Sequence, residues 1–530
     1  MAATDERTVS KQNTLSDSPS GSSSDENIDK AWNFVEQHHN ADALLSVDIA
    51  SVRRKVDWHI VPIMFLCYTM QFLDKVAINY GAVMGLTRDL KLVGNDFSNV
   101  ATFFFVAYLI FEIPNSKQQC FNFTSTSFKE VSFAAYCLQI VPAGKWLGAN
   151  VVLWGVATAC AAAAHDYRTL LASRIFVGIF EATIGPSLLI ISSQWYTKSE
   201  QAPRFSFWYL GLGVGQIVGG AVSYAFQHIA PGATALTGWR IMFVTLGCAT
   251  VVIGLVTFFL LPDTPMRASW LSNDEKVALL KHVSVNQTGI ENRHFRPREI
   301  VEALCDPQIY LLVISTICLS VPSGVVTTYS ATLISHLGYN SKQAALMNMP
   351  SGAVTIFFIL FVGFGIRMQS HRWAWSLACI IPGILGGALM SFVPTTNRAG
   401  CLAGIYLVNA ITAPLTVFYA WTAANIAGPT KRAFAAALVS GSFSIGNIIG
   451  PQTFRPRDAP DYRPAKLAVM GALAGCAFTT FLLFCYYYNE NRRRGTAGKE
   501  DVNELEEDFL GRHRWLDITD KKNQNFRYVY

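Results

Sequence analysis

The stretch YTMQFLDKVAINYG, residues 68–81, lies in an apolar run yet places two full charges side by side, Asp74 and Lys75. The run around it, near 60–80, has about 20 mostly apolar residues, enough to cross roughly 30 Å of hydrocarbon as a helix. Working outward, similar runs recur near 96–115, 146–165, 170–194, 206–228 and 240–261. After a hydrophilic segment, 262–307, they resume near 308–332, 346–367, 373–393, 401–424, 434–451 and 466–488. The chain of 530 residues is 51% hydrophobic and only 15% charged. A soluble protein of this length carries about 25% charged residues, so the main solvent of this chain is not water. No strand-type alternation recurs at the spacing of a membrane barrel, and backbone groups in lipid must then be satisfied inside helices. The reading is an all-α polytopic membrane protein with twelve transmembrane helices in two six-helix halves.

Charge sets the expected orientation. Lysine and arginine crowd alternate loops: Arg53, Arg54 and Lys55 before the first run, Lys198 and Arg204 between the fourth and fifth, Arg267 to Arg298 in the central segment. Arg367 and Arg372, Lys431 and Arg432, and Arg492 to Arg494 continue the series, while Arg455, Arg457 and Arg463 depart from it. The positive-inside bias then puts both termini and the central loop in the cytoplasm. The expected organisation is a disordered cytoplasmic N-terminal tail at 1–52 and an N-terminal half at 53–261. A cytoplasmic loop at 262–307, a C-terminal half at 308–488 and a cytoplasmic tail at 489–530 follow. The N-terminal tail is Ser- and Asp-rich without an apolar h-region, so no cleavable signal peptide is expected. The net charge of +6 is accounted for by these loops and gives no reason to expect a nucleic-acid partner.

Motifs for other chemistries are weak. The eleven Cys show no CxxC or Cys/His ligand spacing and read as small packing residues. GLGVGQIVGG (211–220) has nucleotide-loop-like glycines but lies inside an apolar run with no preceding strand, which favours helix packing. Neither a GK[ST] loop nor an HExxH pair is present. An enzyme is not expected, and no cofactor or metal is called for.

The charges within the runs carry the functional argument. An ionised side chain at the bilayer centre costs about 2.5–3.5 kcal/mol on insertion scales, so it must face an interior or a water-filled cavity. Neighbouring helix positions lie about 100° apart, so Asp74 and Lys75 address different partners. Gln71, Lys75 and Asn79 form an i, i+4, i+8 polar row that lipid would not tolerate. In the fourth run, SRIFVGIFEATIGPS sets Arg174, Gly178, Glu181 and Gly185 on one face, charges alternating with residues that allow close approach. Two acids and two bases at membrane depth can link proton uptake to the arrival of an anion, because a nearby cation and low polarity act oppositely on a carboxyl group. The bland readings are satisfied structural ion pairs, a snorkelling Arg174 and interhelical hydrogen bonds at Gln71 and Asn79.

These residues also carry a resemblance. FLDKVAINYGAVMGLTRDL, VAYLIFEIPN, RIFVGIFEATIGPSLLIISSQWY and IGNIIGPQTF resemble the anion:cation symporter branch of the major facilitator superfamily. YNSKQAALMNMPSGAV, NIAGPTKRAFAAALVSGSFSIGNIIGPQTFRPRDAPDYRPAK and the tail DITDKKNQNFRYVY resemble its fungal allantoate permease-like group, over about residues 45 to 530. The resemblance implies the major facilitator fold, with Asp74 and Glu181 as proton-coupling carboxylates and Lys75 beside them holding the anion. It also implies polar substrate contacts at Tyr108 and Asn447, for which ordinary aromatic and helix packing are the bland alternatives. Lysine where relatives carry arginine keeps the charge but loses the planar fork. The group's short loop after EIPN is replaced by the atypical insert 116–141, which includes SKQQCFNFTSTSFKEVSFAAYCLQIV.

The expectation is a proton-coupled symporter, monomeric, importing a small organic anion across the plasma membrane by alternating access. Candidate substrates are ureido acids such as allantoate and carboxylate nutrients. The substrate-binding set is Lys75, Gln71, Asn79, Tyr108, Arg174 and Asn447; protons pass through Asp74 and Glu181. A proton-driven exporter of a secondary metabolite and a non-transporting nutrient sensor are the alternatives.

Overall fold

The structure is a computed structural model describing residues 47–116, 142–229, 234–284, 297–369, 371–459, 461–497, 519–523 and 526–530. The tail up to residue 46 and the insert from residue 117 to 141 lie outside the described residues.

Helix α1 (Ile49–Val83) starts at Asp48, whose carboxylate accepts from the backbone N–H of Ala50 (2.9 Å) and of Ser51 (3.2 Å). This cap satisfies two of the donors that a helix start leaves unpaired. Its 35 residues overrun the apolar run near 60–80, and the first turns, with Arg53 to Lys55, emerge beyond it. Helix α2 (Asp96–Ser116) follows. The rest of the first half is α3 (Ala143–Ala163), α4 (Tyr167–Trp195), α5 (Pro203–Phe226) and α6 (Gly238–Leu260). The second half comprises α7 (Pro307–His336), α8 (Ser341–Met368), α9 (Arg372–Phe392), α10 (Arg398–Asn425), α11 (Thr430–Gln452) and α12 (Arg463–Arg494). Eleven of these are long and apolar enough to cross a membrane, and α2, with 21 residues, fills the remaining expected position. Two apolar clusters fill the bundle. One centres on Trp154, Val177, Trp239 and Phe243 of the first half and extends to Ile359 and Val417 of the second; the other lies in the second half around Leu312, Phe418, Leu473 and Tyr487.

Small residues set the closest helix pairs. A Cβ on Gly155 of α3 would stand 2.9 Å from the carbonyl oxygen of Gly247 on α6, so only glycine permits that approach. Between the halves, Gly213 of α5 faces Gly352 of α8 in the same way.

The face opposite the chain termini is tied shut across the halves. Ser98 meets the Tyr329 hydroxyl at 2.6 Å, and Gln452 donates to Asn99 (3.0 Å) and Thr102 (2.8 Å). On the face carrying the termini, the connecting helix Asn273–Ser284 docks on the first half. Lys55 reaches Glu275 at 2.6 Å, and Glu200 receives Arg53 at 2.9 Å and His282 at 3.1 Å. Partial burial works against ionisation of Glu200, but hydrogen bonds from Arg53, the Thr197 backbone and His282 outweigh it and lower its carboxyl to about 2.

The end of the chain packs back onto the second half. Val529 donates its N–H to Asn425 Oδ1 (2.7 Å) and accepts from Trp421 Nε1 (2.9 Å) and Asn425 Nδ2 (2.8 Å). Asn491 pairs in the same two-way fashion with the backbone of Tyr528. Asp520 reaches the fully buried Lys431 at 2.7 Å, where Asp306 (2.7 Å) and Glu302 (3.1 Å) also converge. The tail beyond 489 thus ends as a docked element, and α12 itself runs past that position.

Candidate functional site

Asp74 and Lys75 lie on α1 where it passes the middle of the bundle, and their side chains diverge as the helical geometry requires. Asp74 is fully buried and turns Oδ2 toward the hydroxyls of Thr158 on α3 and Thr250 on α6, each at 3.4 Å. Lys75 turns toward α4, where its Nζ stands 2.9 Å from Oε1 of the fully buried Glu181. Its ammonium also lies 5.1 Å from the centre of the Tyr108 ring on α2, at cation–π range.

Arg174, two turns before Glu181 on α4, donates through Nη1 to the backbone carbonyl of Asp74 at 3.2 Å. Its guanidinium lies 4.9 Å from the Phe243 ring centre. Gly178 between them lets α2 come against α4: a Cβ there would lie 2.5 Å from the carbonyl oxygen of Phe104. Asp74 Oδ1, Arg174 Nε and Nη2, and Glu181 Oε2 are buried without a hydrogen-bond partner of ordinary geometry among the described residues. Buried polar atoms are nearly always satisfied, so this cluster of exceptions is what makes these residues the candidate site.

A small void touches the two cations. It has about 20 Å³ of space, room for one or two waters, and is lined by Lys75 and Arg174, Phe104 and Phe105 of α2, and Thr327 and Thr328 of α7. Both halves therefore contribute to its wall.

The proposed site residues divide into two sets. Asp74, Lys75, Glu181, Arg174 and Tyr108 come together, and Gln71 is buried on the same helix, with its side chain near Tyr108 and Glu181. Asn79 stands apart: it donates to Ser330 Oγ (2.8 Å) and accepts from the Ala331 N–H (3.1 Å), joining α1 to α7. Asn447 turns its Nδ2 back to the Phe443 carbonyl of its own helix at 2.8 Å and packs against Gly324 of α7.

Sequence reasoning passed over Glu112. This buried carboxylate on α2 accepts from Ser440 Oγ at 2.5 Å and from Ser444 Oγ at 3.3 Å, both on α11. The signal was present as a lone acid in the apolar run VAYLIFE, but its partners are more than 300 positions away in the chain. Among the described residues no group of three or more His, Cys, Asp or Glu could hold a metal.

Two helical bundles meeting around a buried charge cluster have the architecture of a membrane transporter. Comparisons agree with that class. The family description of the Major Facilitator Superfamily matches residues 132–451. The chain is 33% identical over 523 residues to the "Thiamine pathway transporter THI73" of Saccharomyces cerevisiae, covering 98% of this chain and 92% of that one. It is 29% identical to the "Allantoate permease" of the same yeast, over 95% of this chain and 90% of that protein. Among solved structures, a bacterial homologue of the human lysosomal transporter Spinster, inward-facing and unoccupied, superposes with a TM-score of 0.58 at 16% identity, covering 82% of this chain and 97% of that one. The D-xylose–proton symporter gives a TM-score of 0.58 at 15% identity, over 80% and 97%. This chain belongs to the major facilitator superfamily, and its relatives include fungal transporters of the allantoate permease kind.

Proposed function

We propose that this protein is a proton-coupled symporter that imports a small organic anion across the plasma membrane, with both termini in the cytoplasm. The observation that carries the reading is the Lys75–Glu181 pair at 2.9 Å, buried beside Asp74 and Arg174 at a void walled by both halves. An anion that takes Lys75 from Glu181 leaves a carboxylate in a dry site without its cation. That carboxylate then holds a proton more tightly, so anion and proton arrive together. Release on the other side restores the pair and discharges the proton. Asp74 lies within the same field and gives a second place for a proton.

Energetics supports coupling in this direction. With a negative interior, carrying one negative charge inward costs about 2.3 kcal/mol per 100 mV, which one accompanying proton cancels. The cation-rich face of the bundle is the one with Arg53 to Lys55 and Arg492 to Arg494, as the positive-inside bias expects of the cytoplasmic side.

The substrate class is that of a compact carboxylate, with allantoate-like ureido acids first, a choice supported by the likeness to the yeast allantoate permease. The test is radiotracer uptake of allantoate, nicotinate and pantothenate into cells lacking their own permeases, at external pH 5 and 7. One of these accumulates in an uncoupler-sensitive way with the native chain. Asp74→Asn and Glu181→Gln lose accumulation but keep exchange, and Lys75→Ala loses both. Undiminished pH-dependent uptake in all three variants overturns the assignment.

A further inference from the structure

Glu112 stands one helical turn beyond Tyr108 on α2, so the ring that covers Lys75 and the carboxylate lie on one helix face. It is buried, and among the described residues no cation lies within ion-pair distance of it. Its two oxygens are held instead by two hydroxyls, Ser440 at 2.5 Å and Ser444 at 3.3 Å, which are i and i+4 on α11. A buried carboxylate satisfied only by neutral donors is stable only while those donors stay in place. Here both donors belong to the other half of the molecule. Alternating access requires the halves to separate along one side and then the other. When α2 leaves α11, Glu112 loses both partners in one step.

We propose that Glu112 is a positioning residue of the transport site. It clamps α2 to α11 and lets that side open only when its carboxylate exchanges the two serine hydroxyls for water or a proton. The inference rests on the transporter reading above and adds a third carboxylate to it, one that couples the state of the site to closure of the halves. The titratable groups facing Glu112 are Lys75 from α1, Tyr108 on its own helix and Tyr419 from α10. Lys75 therefore acts on both Glu181, at contact distance, and Glu112, at longer range. A substrate anion that occupies Lys75 alters both carboxylates together.

The experiment requires no substrate. Thr327 lines the central void, and Thr327→Cys serves as the reporter of its opening. The rate of its reaction with N-ethylmaleimide is followed in membrane vesicles at pH 5.5 and 7.5, resolved by peptide mass spectrometry. Each rate is divided by that of the same cysteine peptide free in solution at that pH, which removes the thiol's own ionisation. Ser440→Ala/Ser444→Ala keeps the carboxylate and removes the clamp. Labelling is expected to rise roughly tenfold at pH 7.5, the scale of one lost hydrogen bond to a charged group. Glu112→Gln keeps the shape and a hydrogen-bonding oxygen but removes the titration. Its rates at the two pH values are expected to differ by less than half the ratio seen in the parent.

Parent-like labelling in the serine double variant overturns the proposal. So does an undiminished pH ratio in Glu112→Gln, or a parent rate that does not respond to pH. If Glu112→Gln fails to reach the membrane, the serine arm still decides. Because labelling is independent of cargo, normal uptake in Asp74→Asn would remove the symport reading without touching this result. A loss of coupling in Asp74→Asn beside unaltered labelling would remove only the role of Glu112.

Discussion

Lys75 Nζ lies 2.9 Å from Glu181 Oε1, while the preceding residue, Asp74, faces Thr158 and Thr250 on the far side of the same helix. Adjacent charges on one helix thus serve two different neighbours, and neither neutralises the other. Removing Lys75 leaves Glu181 buried without a cation. Lys75→Met is expected to destabilise the fold by about 3–5 kcal/mol, the cost of breaking a buried pair from one side. Lys75→Met/Glu181→Gln removes both charges and should recover most of that loss. Thermal unfolding in detergent checks both; equal destabilisation in the single and double variants would show that the pair carries no mutual dependence.

Asn79 acts as a tie. Its amide spans from α1 to the Ser330 hydroxyl and the Ala331 N–H of α7, on the face also closed by Ser98 with Tyr329. Asn79→Ala removes two interhalf hydrogen bonds at a cost of about 1–3 kcal/mol to the closed face. The population should shift toward opening on that face. Spin-label distances between positions 83 and 336 should lengthen in the variant, and an unchanged distribution would assign Asn79 to packing alone.

The membrane helices and the clustering of the central charges were legible because their signals are local. An apolar run declares a membrane helix without reference to its partners, and a charge inside such a run declares an interior. The interior placement of Asp74, Lys75, Arg174 and Glu181 was legible in that way. Glu112 obeys the same rule, as a single acid within the apolar stretch VAYLIFEIPN. Its meaning depends on Ser440 and Ser444, and no property of α2 indicates which face of α11 it meets. Asn79 shows the converse. The polar row Gln71, Lys75, Asn79 correctly indicated a non-lipid face, but that face changes partner along its length, from the site to the other half.

The docked tail was hidden for a different reason. Its residues are polar and aromatic in no regular period, and polar residues near a chain end usually indicate solvent. The pattern becomes meaningful only beside Lys431, whose ammonium has no exposure and is met by Glu302, Asp306 and Asp520. Deleting residues 519–530 removes Asp520 and Tyr528 but leaves Glu302 and Asp306 to hold the cation. The expected loss is about 1–3 kcal/mol, milder than for Lys431→Met, which leaves three carboxylates crowded in a dry pocket at about 3–5 kcal/mol. Tyr530 also packs on Phe484 and Tyr488, so a protein tag fused directly to it should lower the melting temperature below that of the native chain. Fluorescence-detected melting of the four proteins ranks them; a truncation as stable as the native chain would reduce the tail to a passive contact.

The connecting helix Asn273–Ser284 should respond to acid in a defined direction. Glu200 is held down to about 2 by Arg53, Thr197 and His282 against the cost of its partial burial, well below the ordinary 4.5. Glu275, on the connecting helix, is also lowered: its slight burial raises it, and Lys55 with the Ser272 backbone more than compensates. A carboxyl whose folded value is depressed contributes stability that is fully present above its unfolded value and disappears as pH falls through its folded one. The docking should therefore be intact at pH 6, begin to weaken below about 4.5 and be lost toward 2. Hydrogen exchange of residues 273–284, corrected for intrinsic rates, reads this directly. Glu200→Gln/Glu275→Gln should exchange quickly at pH 6 already, with little further change on acidification. Slow exchange of the double variant at pH 6 would instead assign the docking to the apolar packing of Val277, Leu279 and Val283.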